Sequence, residues 1–300
     1  MLLKDFISQG TDALIGLYPK NEARSLVLIL CEEYLGTHSY THIVEPQTEV
    51  DPARMPVLED GMARLAKGEP IQYILGYTMF RDLRFAVNDN VLIPRPETEH
   101  LVAEAVKVTG RISRSRLAYG DSASPVRILD MCTGSGCIAW SMSFAVPGAK
   151  VVGVDISEGA LAVACNQDFS KEIRKLSIQA PSFVRADVLQ DPNEDLGMFD
   201  VIISNPPYVL ESQKAQMRPN VTEYEPSLAL FVPDDDPFVF YRAVASWASR
   251  LLNHGGVGLV EINDALGPET VALFKESGFT DVTLLKDFND KNRIVTFRAV

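Results

Sequence analysis

The chain has 300 residues, 46% of them hydrophobic and 8% aromatic, which is enough to bury one large core or two ordinary ones and excludes disorder over most of its length. Acidic residues outnumber basic ones by 40 to 28 and the formal net charge is −12, so the composition excludes a general basic surface for nucleic acid. The longest apolar runs, such as residues 26–31, are far shorter than the roughly 20 residues that cross a bilayer, so we expect no membrane span.

The first part of the chain has apolar side chains at helical spacing, as at Phe6 and Ile7, and predicts several short helices. The N-terminus has no basic head followed by an apolar stretch and a cleavage site, so we expect no secretory signal. From residue 69 the period changes to two, and Leu83, Phe85 and Val87 alternate with other side chains. The predicted division is a helical N-terminal domain at 1–68, a β-hairpin linker at 69–91 and a second domain at 92–300.

Strand-like runs alternate with helical stretches through the rest of the chain. These runs span 126–130, 150–156, 182–187, 199–204, 255–262, 282–285 and 293–298. Their alternation predicts an α/β domain with a parallel sheet covered by helices on both faces. The last two runs are separated by 286–292, too short for a helical crossover, and predict an antiparallel hairpin. Residues 110–125 are rich in turn formers and predict a surface loop, to which the sequence assigns no role.

The cysteines give no sign of a disulfide or metal site. Four are present: Cys31, Cys132, Cys137 and Cys165. They form no Cys-x-x-Cys pair and have no nearby histidine, which argues against both a disulfide framework and a zinc site. We therefore expect a cytoplasmic protein without a metal ion.

A glycine-rich turn, Cys132-Thr133-Gly134-Ser135-Gly136, follows the first strand of the second domain and precedes an apolar helix start. In an open parallel sheet, ligands bind at the carboxyl ends of the strands, where glycine lets the backbone approach them closely. Asp155 and Asp187 end the next two strands, where their carboxylates can accept hydrogens from a ribose diol and from an adenine amino group. Taken alone, the turn has two other interpretations. It satisfies the dinucleotide-binding fingerprint, which is a weak motif, and it is also typical of a tight turn that binds no nucleotide.

The fourth strand ends in Asn205-Pro206-Pro207-Tyr208. The two prolines remove two backbone donors and fix φ, leaving a rigid turn that presents acceptors. The Asn205 side-chain oxygen and the Pro206 carbonyl can hold both hydrogens of a planar NH2 group, orienting its lone pair toward an electrophile. These acceptors bind more strongly as the nitrogen becomes positive, and Tyr208 is placed to pack on that plane and face a sulfonium. In isolation the motif is equally typical of a plain turn.

Several motifs together resemble the release-factor glutamine methyltransferases, the HemK/PrmC family. They span residues 68–76 with Phe80, 92–99, the glycine turn, 154–157, 204–208, 225–226 and 286–287. The resemblance implies a small helical domain, a β-hairpin linker and a Rossmann-like seven-stranded S-adenosylmethionine-dependent methyltransferase domain. The implied reaction is methylation of the side-chain amide nitrogen of the glutamine in the Gly-Gly-Gln motif of bacterial class I peptide chain release factors, without direct contact with nucleic acid.

The resemblance also implies a role for each motif residue. The methionine and ribose end of the cofactor is lined by Cys132, Thr133, Gly134, Ser135 and Gly136. Asp155 takes the ribose hydroxyls, Asp187 and Val188 bracket adenine, and Asn205 also touches the cofactor. The glutamine amide is held by Asn205, Pro206, Pro207 and Tyr208, of which Asn205, Pro206 and Tyr208 are catalytic. Cys132 departs from the family pattern, which has glycine there, and we expect this small side chain to be tolerated.

Three alternatives remain at this point. An N6-adenine DNA or RNA methyltransferase would also bind a planar NH2 group, although the net charge opposes it and only the basic cluster around Arg111 and Arg114 favours it. A sibling branch of the family methylates a ribosomal-protein glutamine and has a similar glycine turn, but residues 94–99 match the release-factor branch better. A non-catalytic cofactor binder is opposed by the intact Asn205 and Tyr208.

Overall fold

The computed structural model describes residues 1–118 and 124–300, which form two compact units. The first contains Met1–Tyr77 and Arg218–Tyr224, and the second contains Thr78–Met217 and Glu225–Val300. The α-helices are α1 Leu3–Leu14, α2 Lys20–Leu35, α3 Thr41–Val44, α4 Met55–Leu65, α5 Ile71–Leu75, α6 Pro96–Ala118, α7 Cys137–Ala145, α8 Glu158–Cys165, α9 Ser170–Leu176, α10 Pro219–Thr222, α11 Val239–Leu251 and α12 Gly267–Glu276. The strands are β1 Tyr77–Phe80, β2 Leu83–Ala86, β3 Arg127–Met131, β4 Lys150–Asp155, β5 Ser182–Arg185, β6 Phe199–Ser204, β7 Val209–Leu210, β8 Phe231–Val232, β9 Leu252–Glu261, β10 Thr280–Lys286 and β11 Asn292–Arg298.

The first unit is helical, as its apolar spacing predicts. Each helix buries one stripe, and on α1 this stripe includes Leu3, Ile7 and Leu14. Helices α1 and α2 pack closely because Gly10 has no side chain: a Cβ there would lie 3.2 Å from a methyl group of Val27.

A short segment from the second half of the chain completes the first unit. The Arg218 guanidinium lies 2.7 Å from the Glu22 carboxylate, and the Tyr224 hydroxyl donates to the Lys67 carbonyl at 2.8 Å. The first unit is therefore discontinuous in sequence.

The predicted hairpin is present as β1 and β2, which bury Phe80 and Phe85 in the core of the second unit. The period of two begins only at the hairpin itself. Residues 71–75, which the sequence placed in the linker, form helix α5, ended by Gly76 in the left-handed conformation with φ +77°.

The second unit has the predicted seven-stranded sheet, with strand order β10-β11-β9-β6-β3-β4-β5. Strands β3, β4, β5, β6 and β9 are parallel, while β10 and β11 form the predicted antiparallel hairpin. The order reverses beside β3, which lies between β4 and β6, and this is where an open sheet leaves a crevice beyond its carboxyl ends.

The central strands read as continuous apolar runs because helices cover both of their faces. All residues of β6 are buried. Val201 and Ile203 pack into the core cluster that contains residues of α6 and α7, whereas Ile202 packs into the opposite cluster with α11 and α12. The α/β architecture predicted from the sequence is confirmed. Among the residues described, no helix is both long and apolar enough to cross a membrane.

The prediction of a loop over 110–125 is wrong for residues 110–118, which continue helix α6. Tertiary contacts outweigh the turn-forming composition here. Ile112 packs against the core, and the Arg116 guanidinium lies 2.5 Å from the nearly buried Asp200 carboxylate. Residues 119–123 of the predicted loop lie outside the described residues.

Candidate active site

A cavity of about 160 Å³ opens where β3, β4, β5 and β6 end. Its wall includes a group of residues that follow these strand ends: Cys132, Gly134, Asp155, Asp187, Val188, Asn205 and Pro207. The other side of the wall comes from residues 90–92 and from Pro226, Leu228 and Ala229. Residues that the sequence selected separately are therefore brought together at the sheet edge.

The glycine turn places three residues in the left-handed region: Cys132 at φ +60°, Gly134 at φ +53° and Gly136 at φ +78°. A Cβ at Gly134 would meet no atom within 4 Å, so open space lies beside this residue in the cavity wall. Gly136 is needed for packing instead, since a Cβ there would lie 3.0 Å from the Ala164 Cβ. Cys132 bears a conformational cost of about 1 kcal/mol that glycine would not have.

Thr133, Ser135 and Gly136 do not line the cavity; they build the turn behind it. The Thr133 hydroxyl donates to Asp130 Oδ2 at 2.5 Å, and the Ala139 amide donates to the same oxygen at 3.0 Å. Burial raises the pKa of Asp130 to about 7. Asp130 was not predicted as a site residue from the sequence. An acidic residue inside an apolar strand is the feature that could have indicated it.

Asp155 joins the glycine turn to the next strand. Its Oδ2 accepts from the Gly134 amide and its Oδ1 from the Ser157 amide, both at 2.9 Å. Burial raises the pKa of this carboxyl, and the backbone hydrogen bonds oppose that rise. Because each carboxylate oxygen has two lone pairs, Asp155 retains the capacity to accept hydrogens from a ligand in the cavity.

Asp187 lies beyond β5, which ends at Arg185 rather than at Asp187 as the sequence predicts. Its Oδ1 accepts from the Leu189 amide at 2.9 Å, and this turn brings Val188 to the cavity wall. With Leu189 and Phe240, Val188 forms an apolar part of that wall. Open space at Gly134, carboxylates at two strand ends and an apolar slot together fit the nucleoside part of S-adenosylmethionine.

Asn205 lines the same cavity, and its Nδ2 donates to Thr98 Oγ1 at 3.0 Å. The side-chain oxygen Oδ1 is thus the atom that Asn205 can offer to a ligand. Pro207 also lines the cavity, whereas Pro206 and Tyr208 are not among its lining residues. The Tyr208 hydroxyl donates to Glu261 Oε1 at 3.1 Å and its ring packs into the core, so its contact with a sulfonium stays a prediction.

Glu261, the last residue of β9, was missed by sequence reasoning. It is fully buried and accepts from the hydroxyls of Thr98, at 2.8 Å, and Tyr208. Burial raises its pKa to about 7, while these hydrogen bonds and Arg293 act in the opposite direction. A glutamate within the apolar run 255–262 is the sequence feature that could have indicated a buried functional carboxylate.

Glu225 belongs to the motif at 225–226, for which the sequence predicted no separate role, yet it holds one side of the cavity in place. Its buried carboxylate accepts from the Arg95 guanidinium at 2.7 Å and from the Ile93 amide at 3.0 Å. These contacts join the segment before α6 to the segment that follows Glu225, and both segments contribute to the cavity wall. Arg95 therefore has a structural role in this unit.

Two family models match the chain: the PrmC N-terminal domain over residues 5–76 and the methyltransferase small domain over residues 120–223. The chain is 39% identical over 301 residues to a release factor glutamine methyltransferase of Flavobacterium psychrophilum, covering 99% of this chain and 100% of the relative. It is also 39% identical over 284 residues to one of Bacteroides thetaiotaomicron, covering 95% of each. The solved hMettl16 catalytic domain in complex with MAT2A 3′UTR hairpin 6 shares the fold, with a TM-score of 0.52, 13% identity and coverage of 79% of this chain and 81% of that one.

The match to the Flavobacterium relative extends over 99% of the chain and therefore over both units. This agrees with the resemblance that the sequence motifs indicate. The chain belongs to the release factor glutamine methyltransferase family.

Proposed function

We propose that this chain methylates the side-chain amide nitrogen of the glutamine in the Gly-Gly-Gln motif of class I peptide chain release factors, with S-adenosylmethionine as the methyl donor. One observation carries the proposal. Asn205, with its amide nitrogen bound to Thr98 and its oxygen left for a ligand, lines the same cavity as Asp155 and the glycine turn.

The residues of the turn after β6 act by orienting the glutamine. Asn205 Oδ1 and the Pro206 carbonyl accept the two amide hydrogens and direct the nitrogen lone pair into the cavity. Both acceptors bind more strongly as the nitrogen acquires positive charge, so they stabilise the transition state more than the bound substrate. No general base is needed at the start, because the nitrogen becomes acidic only after alkylation.

The remaining residues hold the cofactor, which when bound supplies an electrophilic methyl group on a sulfonium. Asp155 accepts the ribose hydroxyls, Asp187 and Val188 bracket the adenine, and the backbone from Cys132 to Gly136 shapes the methionine end. Tyr208 packs its ring against the plane of the glutamine amide and faces the sulfonium.

The helical N-terminal domain, 1–68, recognises the release factor, and the linker at 69–91 joins it to the catalytic domain at 92–300. The match of residues 5–76 to a domain model specific to this family supports that role. The enzyme works in the cytoplasm and binds no nucleic acid directly, in keeping with the net charge of −12.

The test is transfer of a labelled methyl group from S-adenosylmethionine to a purified class I release factor, followed by mass mapping of the product. We expect one methyl group on the glutamine side-chain nitrogen and none on a release factor whose Gly-Gly-Gln glutamine is replaced. Methylation of adenine in DNA or RNA, without methylation of the release factor, would refute the proposal and favour the adenine methyltransferase.

A further inference from the structure

Behind Asn205 lies a chain of buried hydrogen bonds. Asn205 Nδ2 donates to Thr98 Oγ1 at 3.0 Å, Thr98 Oγ1 donates to Glu261 Oε2 at 2.8 Å, and Tyr208 Oη donates to Glu261 Oε1 at 3.1 Å. Thr98 is 2% exposed and Glu261 0%, so water does not replace these partners. Thr98 lies in the first turn of α6 and Glu261 at the end of β9, beside β6.

The direction of these bonds follows from their chemistry. Glu261 Oε2 accepts from the Thr98 hydroxyl, and a threonine hydroxyl has a single proton to donate. Because the Thr98 hydroxyl uses its hydrogen in the bond to Glu261, the Thr98 oxygen faces Asn205 as an acceptor. The Asn205 side chain must then direct Nδ2 toward Thr98, which leaves Oδ1 for the substrate.

We propose that Thr98 and Glu261 are positioning residues that hold the Asn205 carboxamide with its oxygen toward the substrate, and so make the site selective for an amide NH2 group. This inference rests on the proposed function, in which Asn205 accepts a hydrogen from the glutamine amide. A flipped Asn205 would present its own NH2 to that of glutamine and would bind a carbonyl or carboxylate oxygen instead. The buried pair therefore distinguishes glutamine from glutamate without touching either.

Helix α6 provides a matched control. Thr98→Val removes the hydroxyl at nearly constant volume, and Thr98→Ser retains it. Thr109, also fully buried in α6, donates to the Ala105 carbonyl at 2.7 Å, so Thr109→Val removes a buried hydroxyl from the same helix away from Asn205.

The experiment compares turnover, cofactor affinity by calorimetry and thermal stability for these variants, using the full-length enzyme and a release factor. We expect Thr98→Val to lose about tenfold or more in kcat, as expected when a group that orients the transition state is lost. Cofactor affinity stays within about twofold, Thr98→Ser stays within about threefold of the parent kcat, and Thr109→Val keeps the parent kcat.

A second measurement does not depend on turnover: the affinity of the enzyme, with S-adenosylhomocysteine bound, for the release factor. We expect Thr98→Val to weaken it and Thr98→Ser to preserve it. Equal affinity and kcat in Thr98→Val and the parent would overturn the inference.

A double-mutant cycle separates this inference from the function on which it rests. If Thr98 acts through Asn205, Thr98→Val costs less than about twofold in an Asn205→Ala background. An undiminished loss in that background would overturn the positioning role while leaving the proposed function intact. Full turnover in Asn205→Ala alone would instead refute the proposed role of Asn205.

Discussion

Replacing Glu261 by glutamine should stabilise the fold, and more so at alkaline pH. Burial raises the Glu261 pKa from its ordinary value of 4.5 to about 7. The folded state thus keeps the proton over a pH range where the unfolded state has lost it, so stability falls as the pH rises from about 4.5 to about 7. At 1.36 kcal/mol for each unit of pKa, the penalty is about 3 kcal/mol at pH 8 and about 1 kcal/mol at pH 5.

Glu261→Gln removes this titration and keeps the hydroxyl groups partnered, because a carboxamide offers one acceptor and one donor. The groups that act on Glu261 come from the surrounding elements: Thr98 and Glu97 on α6, Tyr208 after β6, Tyr241 on α11 and Arg293 on β11. All of them remain in the variant, and Asp130, whose pKa is also raised, contributes equally to both proteins.

Urea unfolding of both proteins at pH 5 and pH 8, followed by tryptophan fluorescence and circular dichroism, measures the difference directly. We expect the variant to be more stable by about 3 kcal/mol at pH 8 and by about 1 kcal/mol at pH 5. A gain that is the same at both pH values, or a loss at pH 8, would refute the assignment of a raised pKa to Glu261.

Four further outcomes follow from the structure. Asn205→Ala should lower kcat by about 100-fold or more while calorimetry finds cofactor affinity within about threefold, and parallel losses of both would contradict its assigned role. Asp155→Ala should weaken cofactor binding by about 10- to 100-fold in the same titration, since it removes a ligand acceptor and releases the Gly134 amide. Arg116→Ala should lower the free energy of unfolding in urea by about 2 kcal/mol, because it leaves the buried Asp200 carboxylate without its cation. An unchanged free energy would show that this ion pair does not stabilise the end of α6. Cys132→Gly should change stability by less than about 1 kcal/mol, because relief of the left-handed strain offsets the added chain entropy, and it should keep cofactor affinity.

Local patterns predicted the sheet well because its strands are buried on both faces. An apolar run such as 199–204 has only one simple interpretation when turn formers and helices flank it. The sheet edge could also be predicted, since parallel strands bring residues such as Asp155 and Asn205 to the same end. The extent of α6 could not, because its last turns depend on contacts such as the one between Arg116 and Asp200.

The residues that support the site could not be predicted from local sequence patterns. Thr98 and Glu261 are 163 positions apart, and Arg95 and Glu225 are 130 apart. No periodicity connects residues at such separations, and only the folded sheet shows that they meet. Strand ends therefore indicated which residues face a ligand, while the residues that orient Asn205 required the three-dimensional structure.

The discontinuity of the first unit constrains the order in which the protein matures. Its helices leave the ribosome early, yet the segment that supplies Arg218 and Tyr224 is synthesised only after most of the sheet. A nascent chain that stops at residue 77 lacks these contacts, so the unit reaches its final form only late in translation. Fragment designs for the helical unit should accordingly supply residues 218–224, as a fused or added peptide.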